Sequence, residues 1–308
     1  MGKDDHIFHL FWEIVLIITI SGIFSGCKDS STNPADSPTD DIAFSSVRFG
    51  TGDIFGKSDI WVMSINGEKP TNITNSERQD SDPVWSPNGR ELLFLSNSNG
   101  PSDIWKMQSD GSVPEKITNN PGIDIAVQWS SSGERILFWS NGPDFANIIV
   151  MNSDGSNKIN LTNNTGCHIK PRWSPDESKI VFTHCSPDKE GIWLMDSDGT
   201  NQRLLTAQIT DFFTGPRWSP DGSSILIESR QDGDNEIWVI DQDGSNPKKL
   251  TDNSNSDYQA RLSPDGSQIV YTRSFRGESE IWIMKSDGSG KRKLHGNRSM
   301  KAAWRPIQ

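Results

Sequence analysis

The sequence is poor in the residues on which most enzymes and nucleic-acid-binding proteins rely. Its 308 residues include 5 His, 3 Cys and 2 Tyr. Beyond residue 27 the only His are His168, His184 and His295, a thin basis for a metal centre. Neither Gly-x-Ser-x-Gly nor His-Glu-x-x-His occurs, which removes the esterase and metallopeptidase readings. Basic residues are in deficit, with 30 Lys and Arg against 41 Asp and Glu, a net charge of −11 and a pI near 4.9. That balance excludes a nucleic-acid surface and fits a soluble extracytoplasmic protein. Carboxylates are plentiful, but no spacing singles out an acid and a base. Only 32% of residues are hydrophobic, so the core must be assembled from thin repeated slices. The one long apolar run, Ile14 to Phe24, is too short to span a bilayer as a straight helix.

That run fits the core of a signal peptide and ends at "FSGC", with Cys27 last. The segment resembles a bacterial lipobox, which implies cleavage before Cys27 and its acylation. Phe24 stands where Leu is usual, Lys3 is offset by Asp4 and Asp5, and Glu13 interrupts the apolar side. The other readings are an uncleaved N-terminal anchor and a misassigned start. Residues 27–41 are polar and Pro-containing, a flexible tether to a folded body over 42–308. Lys28 after the Cys implies release from the inner membrane under the enterobacterial rule. In other bacterial groups the Lys-Asp pair resembles a surface-export signal. The expected place is the cell envelope, on a lipid anchor, facing the periplasm or the cell surface.

What is abundant is Trp, at 12 residues, together with a repeat. The "WSP" slot holds Trp85, Trp129, Trp173, Trp218, Leu262 and Trp304, at gaps of 44, 44, 45, 44 and 42. The Gly of "DG" and the Thr of "LT" keep the same period. Each copy has four short strand-like runs joined by "SPDG" and "DxDG" turns, in which Gly supplies the left-handed residue. Four antiparallel strands per repeat describe a propeller blade. The region opens with a second-type strand (42–46) and ends with an orphan first-type strand (302–306). The two complete one blade, which predicts an all-β, six-bladed ring of four-stranded blades closed by the C-terminal strand.

The pattern "WSPDG…DIW.M..DG….LT" resembles the Pro-Asp repeat of the TolB β-propeller family over residues 42–308. The α/β domain that precedes the propeller in TolB has no counterpart here, and the Gly-His and Trp-Asp dipeptides of WD-repeat propellers are missing. Oligogalacturonide lyases resemble this propeller too, and that likeness implies a His-rich metal site for which three scattered His are little.

Ten Trp occupy two repeat slots, "WSP" and "IW", as inter-blade packing requires; Trp139 stands apart at the end of a second strand. The "DxDG" segments carry too few alternating oxygen ligands for calcium and are read as turns. Cys167 and Cys185 face each other across one hairpin, as do His168 and His184. This predicts a disulfide in an oxidising compartment. A Cys-His-His-Cys zinc site is the other reading, against the alternation of strand faces.

Taking the "WSP" strand as innermost, as the resemblance implies, residues one, three and five before the Trp slot are expected on one tunnel-facing side. The candidates are Asp80, Asp124, His168, Phe213 and Asp257 at minus five, Lys170 at minus three, and Arg172, Arg217 and Arg261 at minus one. Three Arg from consecutive blades suit a carboxylate or phosphate clamp. The other reading pairs each Arg with an Asp of a neighbouring turn. No metal or cofactor is expected. The function expected is a non-enzymatic, monomeric, membrane-tethered module that binds a protein or glycan at the tunnel mouth. The alternative is a tunnel lyase or hydrolase acting on an anionic carbohydrate.

Overall fold

Each repeat folds as one antiparallel sheet. The computed structural model describes residues 41–48, 57–64, 70–97, 100–142, 146–163, 166–206, 215–275 and 278–295. Blade 1 has three strands, Asp41–Arg48, Lys57–Ser64 and Thr71–Asn72. Blade 2 runs Gln79–Trp85, Glu91–Asn97, Asp103–Gln108 and Glu115–Lys116. Blade 3 runs Ile123–Trp129, Arg135–Asn141, Ala146–Asn152 and Ile159–Asn160. Blade 4 runs His168–Trp173, Lys179–His184, Gly191–Asp196 and Arg203–Thr206. Blade 5 runs Arg217–Trp218, Ser224–Ser229, Glu236–Asp241 and Lys248–Lys249. Blade 6 runs Ser256–Leu262, Gln268–Phe275, Glu278–Lys285 and Arg292–His295. This is the predicted six-bladed all-β propeller, without a helix among the described residues. The signal segment 1–26, Cys27, the tether up to residue 40 and the ring-closing strand 302–306 lie outside the described residues.

The repeated polar residues hold the turns and strand ends. In "SPDG", Ser219 Oγ donates to Asp221 Oδ1 (2.6 Å) and accepts the Ser224 amide (2.9 Å), closing the turn without outside help. In the "DxDG" turns, the Asp before Gly accepts an amide two residues on, as Asp110 does from Ser112 (2.9 Å) and Asp243 from Ser245 (2.9 Å). Those carboxylates serve their own turns, as the turn reading expects. Gly111 shows why Gly follows: its φ is +86°, and a Cβ there would lie 2.4 Å from the Ile73 carbonyl oxygen. The Thr of "LT" accepts the amide that opens the third strand, Thr118 from Ile104 (2.8 Å) and Thr251 from Ile237 (2.9 Å).

The core lies between blades. Leu92 and Phe94 of blade 2 pack against Ala43 and Ile60 of blade 1, while Leu93 and Leu95 face Trp129 and Phe138 of blade 3. Second strands are therefore buried on both faces and read as continuous apolar runs. Four such slabs follow the first, joining each blade to the next. The "WSP" Trp packs towards the preceding blade, and Trp129 Nε1 donates to the Val84 carbonyl there (3.3 Å). First strands of neighbouring blades touch one another, which puts them at the axis of the ring.

Candidate anion site in the propeller tunnel

A bulge in the first strand decides which side chains share a face. In blade 2, Ser81 pairs with Leu95 and Val84 with Leu93, so Asp82 and Pro83 together oppose Phe94. The same shift separates Ile125 from Gln128, Ile169 from Arg172 and Tyr258 from Arg261. The first bulged residue is left-handed each time, with φ of 52° at Asp82, 55° at Ala126 and Lys170, and 56° at Gln259. One extra residue reverses the alternation beyond it. Asp80 pairs with Ser96 and Trp85 with Leu92, four residues apart on an unbroken strand, so both share one face. The expectation that minus-five and minus-one residues share a side is corrected accordingly: minus five lies with the Trp, minus one opposite.

The minus-five residues are buried and bonded within the fold. Asp80 accepts from Ser76 Oγ (2.7 Å) and from the Ser96 hydroxyl. Asp124 accepts from Asn120 Nδ2 (2.8 Å), and burial raises its pKa. Asp257 holds Arg273 through two bonds of 2.7 and 2.8 Å and also accepts from Asn253 (2.8 Å). Each carboxylate ties the loop before its blade to the second strand. Phe213 lies outside the described residues.

His168, the fourth member, faces His184 with ring centroids 4.5 Å apart, and the two Cys beside them form the predicted disulfide, Cα–Cα 5.0 Å. The sulfurs are thus joined to each other and not presented as zinc thiolates. Burial and the neighbouring His184 push the His168 pKa down to about 4. The unfolded chain, titrating near 6.5, binds this proton first, so the stability from the neutral ring is present above about pH 6.5 and lost towards pH 4. On the order of 3 kcal/mol is at stake. The denaturation midpoint is expected to fall across that window, and His168→Phe is expected to flatten the profile. An unchanged profile in that variant would show that the ring is not held neutral.

On the opposite face the structure brings Lys170, Arg217 and Arg261 near a residue that sequence reasoning missed, Glu228, with Arg172 beside Lys170, Arg217 and Arg261. Burial and then the charge of Arg261 depress the Arg172 pKa to about 10. Arg217 is driven well down by burial, then by Arg261 and Arg172, with Glu228 opposing. Burial lowers Lys170 and Arg261 too, and Glu228 again opposes. Glu228 is 2% exposed; its Oε1 accepts the Ala260 amide (2.8 Å), and its Oε2 has no hydrogen-bond partner among the described residues. Arg217 Nε is buried and likewise unpartnered. Arg172 donates to the Pro171 carbonyl (3.2 Å). Among the described residues neither Arg172 nor Arg217 has a carboxylate within ion-pair distance. The turn carboxylates Asp176 and Asp221 are bonded to Ser174 and Ser219 of their own turns.

Local sequence explains the cluster. Gly215 makes room for Lys170, since a Cβ on it would sit 2.6 Å from the Lys170 Cβ. Glu228 fills the second-strand slot that holds Leu95, Trp139, Thr183 and Thr272 in other blades. The signal that would have found it is one carboxylate ending the apolar run "SILIES". Trp139 Nε1, Thr183 Oγ1 and Thr272 Oγ1 in that slot are also buried without partners among the described residues.

A family model described as the TolB beta propeller domain matches residues 22–149 and 142–307. The chain belongs to the TolB β-propeller family. A search of curated proteins finds no match. Among solved structures, a putative TolB from Agrobacterium tumefaciens is similar at 23% identity and a TM-score of 0.62, over 81% of this chain and 94% of that one. An oligogalacturonate lyase in complex with manganese is similar at 16% identity and a TM-score of 0.63, over 83% of this chain and 74% of that one. A puromycin-hydrolyzing peptidase from Mycobacterium tuberculosis has 13% identity and a TM-score of 0.65, over 89% of this chain and 50% of that one. At these identities the likeness is one of fold, and that fold is shared by a putative TolB, a lyase and a peptidase. The chemistry has to be read from the cluster.

Proposed function

We propose that this TolB-family propeller is a non-enzymatic binding module whose tunnel takes an anionic group from a protein or glycan partner. The observation behind this is the pair of guanidinium groups of Arg172 and Arg217, set beside Lys170 and Arg261. Arg172 and Arg217 have no carboxylate within ion-pair distance among the described residues, and a guanidinium drawn out of water without such a partner destabilises the fold. A carboxylate or phosphate group offers both the missing charge and planar acceptors for the Arg forks. The alternative, an enzyme acting on an anionic carbohydrate, would draw on His168 together with the Arg set, but His168 faces the other side of the strand and packs against His184 and Phe182. The proposed setting is the cell envelope, with a monomeric propeller held by a lipid on Cys27. The disulfide suits that oxidising compartment.

The test is calorimetric titration with tri-galacturonate and with a Glu-rich peptide. Binding of either by the wild type and a loss of about a hundredfold in Arg172→Gln/Arg217→Gln is expected, from two lost charge-assisted forks. Equal affinity in the double variant would refute the site. Conversion of the intact trimer, followed by mass spectrometry with and without Mn²⁺, would favour the enzyme.

A further inference from the structure

Between blades 5 and 6 the repeat lacks three side chains that meet between blades 3 and 4. There, Trp173 fills the first-strand slot, the Arg135 guanidinium lies 4.4 Å from its ring centroid, and Glu177 holds Arg135 at 3.2 Å. Glu177 also reaches back to Ser131 Oγ (2.6 Å). The residues at these three repeat positions between blades 5 and 6 are Leu262, Ser224 and Gly266. All three line one open cleft of about 600 Å³. Its floor is apolar, formed by Leu226, Val239 and Ile269 with Leu262, and its rim carries Asp221, Asp265 and Asp287. The three rim residues are exposed, and their own turn hydrogen bonds keep them ionised. Among the described residues no Lys or Arg lines the cleft.

We propose that this cleft docks an aromatic side chain of a partner protein flanked by Arg or Lys. The aromatic ring takes the volume that an indole fills elsewhere in the ring of blades. The flanking cation takes the place of Arg135 and meets the carboxylate rim. None of Lys170, Arg172, Arg217, Glu228 and Arg261 lines the cleft, so this site is separate from the tunnel cluster.

The probe is a fluorescein-labelled Gly-Arg-Trp-Arg-Gly peptide, followed by anisotropy at low salt. It is expected to bind at least about tenfold more tightly than Gly-Asp-Trp-Asp-Gly or Gly-Arg-Gly-Arg-Gly, because each lacks one of the two complements. Leu262→Trp fills the cleft from its floor and is expected to abolish binding without lowering the melting temperature. Ser224→Arg, which restores the cap from the neighbouring blade, gives the same loss if the first variant folds poorly. Arg172→Gln/Arg217→Gln is expected to keep peptide binding, so failure here and failure in the tunnel are told apart. No binding, equal binding of the three peptides, or unchanged binding by both filled variants would overturn the proposal. Loss in the tunnel variant would do so too.

Discussion

Trp129→Ala is expected to cost about 4 kcal/mol of folding stability, the largest effect of any single substitution considered. The indole is 9% exposed, packs among Leu93, Val127 and Phe138, and donates across the blade boundary to Val84. Removing it opens a cavity in the slab joining blades 2 and 3 and takes away the donor to the Val84 carbonyl. The "IW" Trp serve a lesser role, as half-buried rings under a cation such as Arg273, 4.1 Å from the Trp282 centroid. Trp282→Ala is accordingly expected to cost about half as much, since less of its area leaves water. Guanidinium denaturation of the two variants measures the difference. Equal costs, or less than about 1 kcal/mol at Trp129, would show that the "WSP" Trp does not join blades.

Loss of the disulfide comes next. Cys167→Ser/Cys185→Ser is expected to destabilise by about 3 kcal/mol, the chain-entropy value for a loop of this size. The bond spans 18 residues and ties the start of the first strand of blade 4 to the end of its second. Cys167 also bridges to Ala146 of blade 3, so the link sits where two blades meet. Alkylation and mass measurement of air-oxidised protein should find Cys167 and Cys185 protected. Two reactive thiols there, or a double variant as stable as wild type, would contradict the bond's structural role.

The blades were legible because their signals are local and repeat. A turn needs Ser, Pro, Asp and Gly at fixed offsets, and six copies average out the noise. The Cys167–Cys185 pairing followed from counting outward from one such turn, which tolerates the bulge because facing residues move by only one position. Facing direction does not tolerate it. The bulge sits on Asp82, Ala126, Lys170 and Gln259, four unlike side chains with no Gly among them, so composition carries no mark of the left-handed backbone. Hence simple alternation puts the minus-five residues on the ligand side, whereas the fold uses Asp80, Asp124 and Asp257 to tie loops. Glu228 stands out as a carboxylate in an apolar run, but its neighbours Lys170, Arg217 and Arg261 come from blades 4, 5 and 6, and only the packing of those blades brings them to one place. The Leu262 cleft stands between these cases. The missing Trp is visible in the repeat, but the missing Arg and Glu beside it are seen only across the interface.

Under the proposed function the Arg cluster is held for a ligand at the expense of the fold. Sites of this kind lower stability when empty, and removing their buried like charges relieves it. The deciding measurement is the melting temperature of wild type and Arg172→Gln/Arg217→Gln, each with and without tri-galacturonate or the Glu-rich peptide. The double variant should melt at or above the wild type alone, while only the wild type should gain stability from an anion, through binding to the native state. A double variant that melts well below a wild type indifferent to both anions would mean that the Arg residues serve the blades and not a ligand.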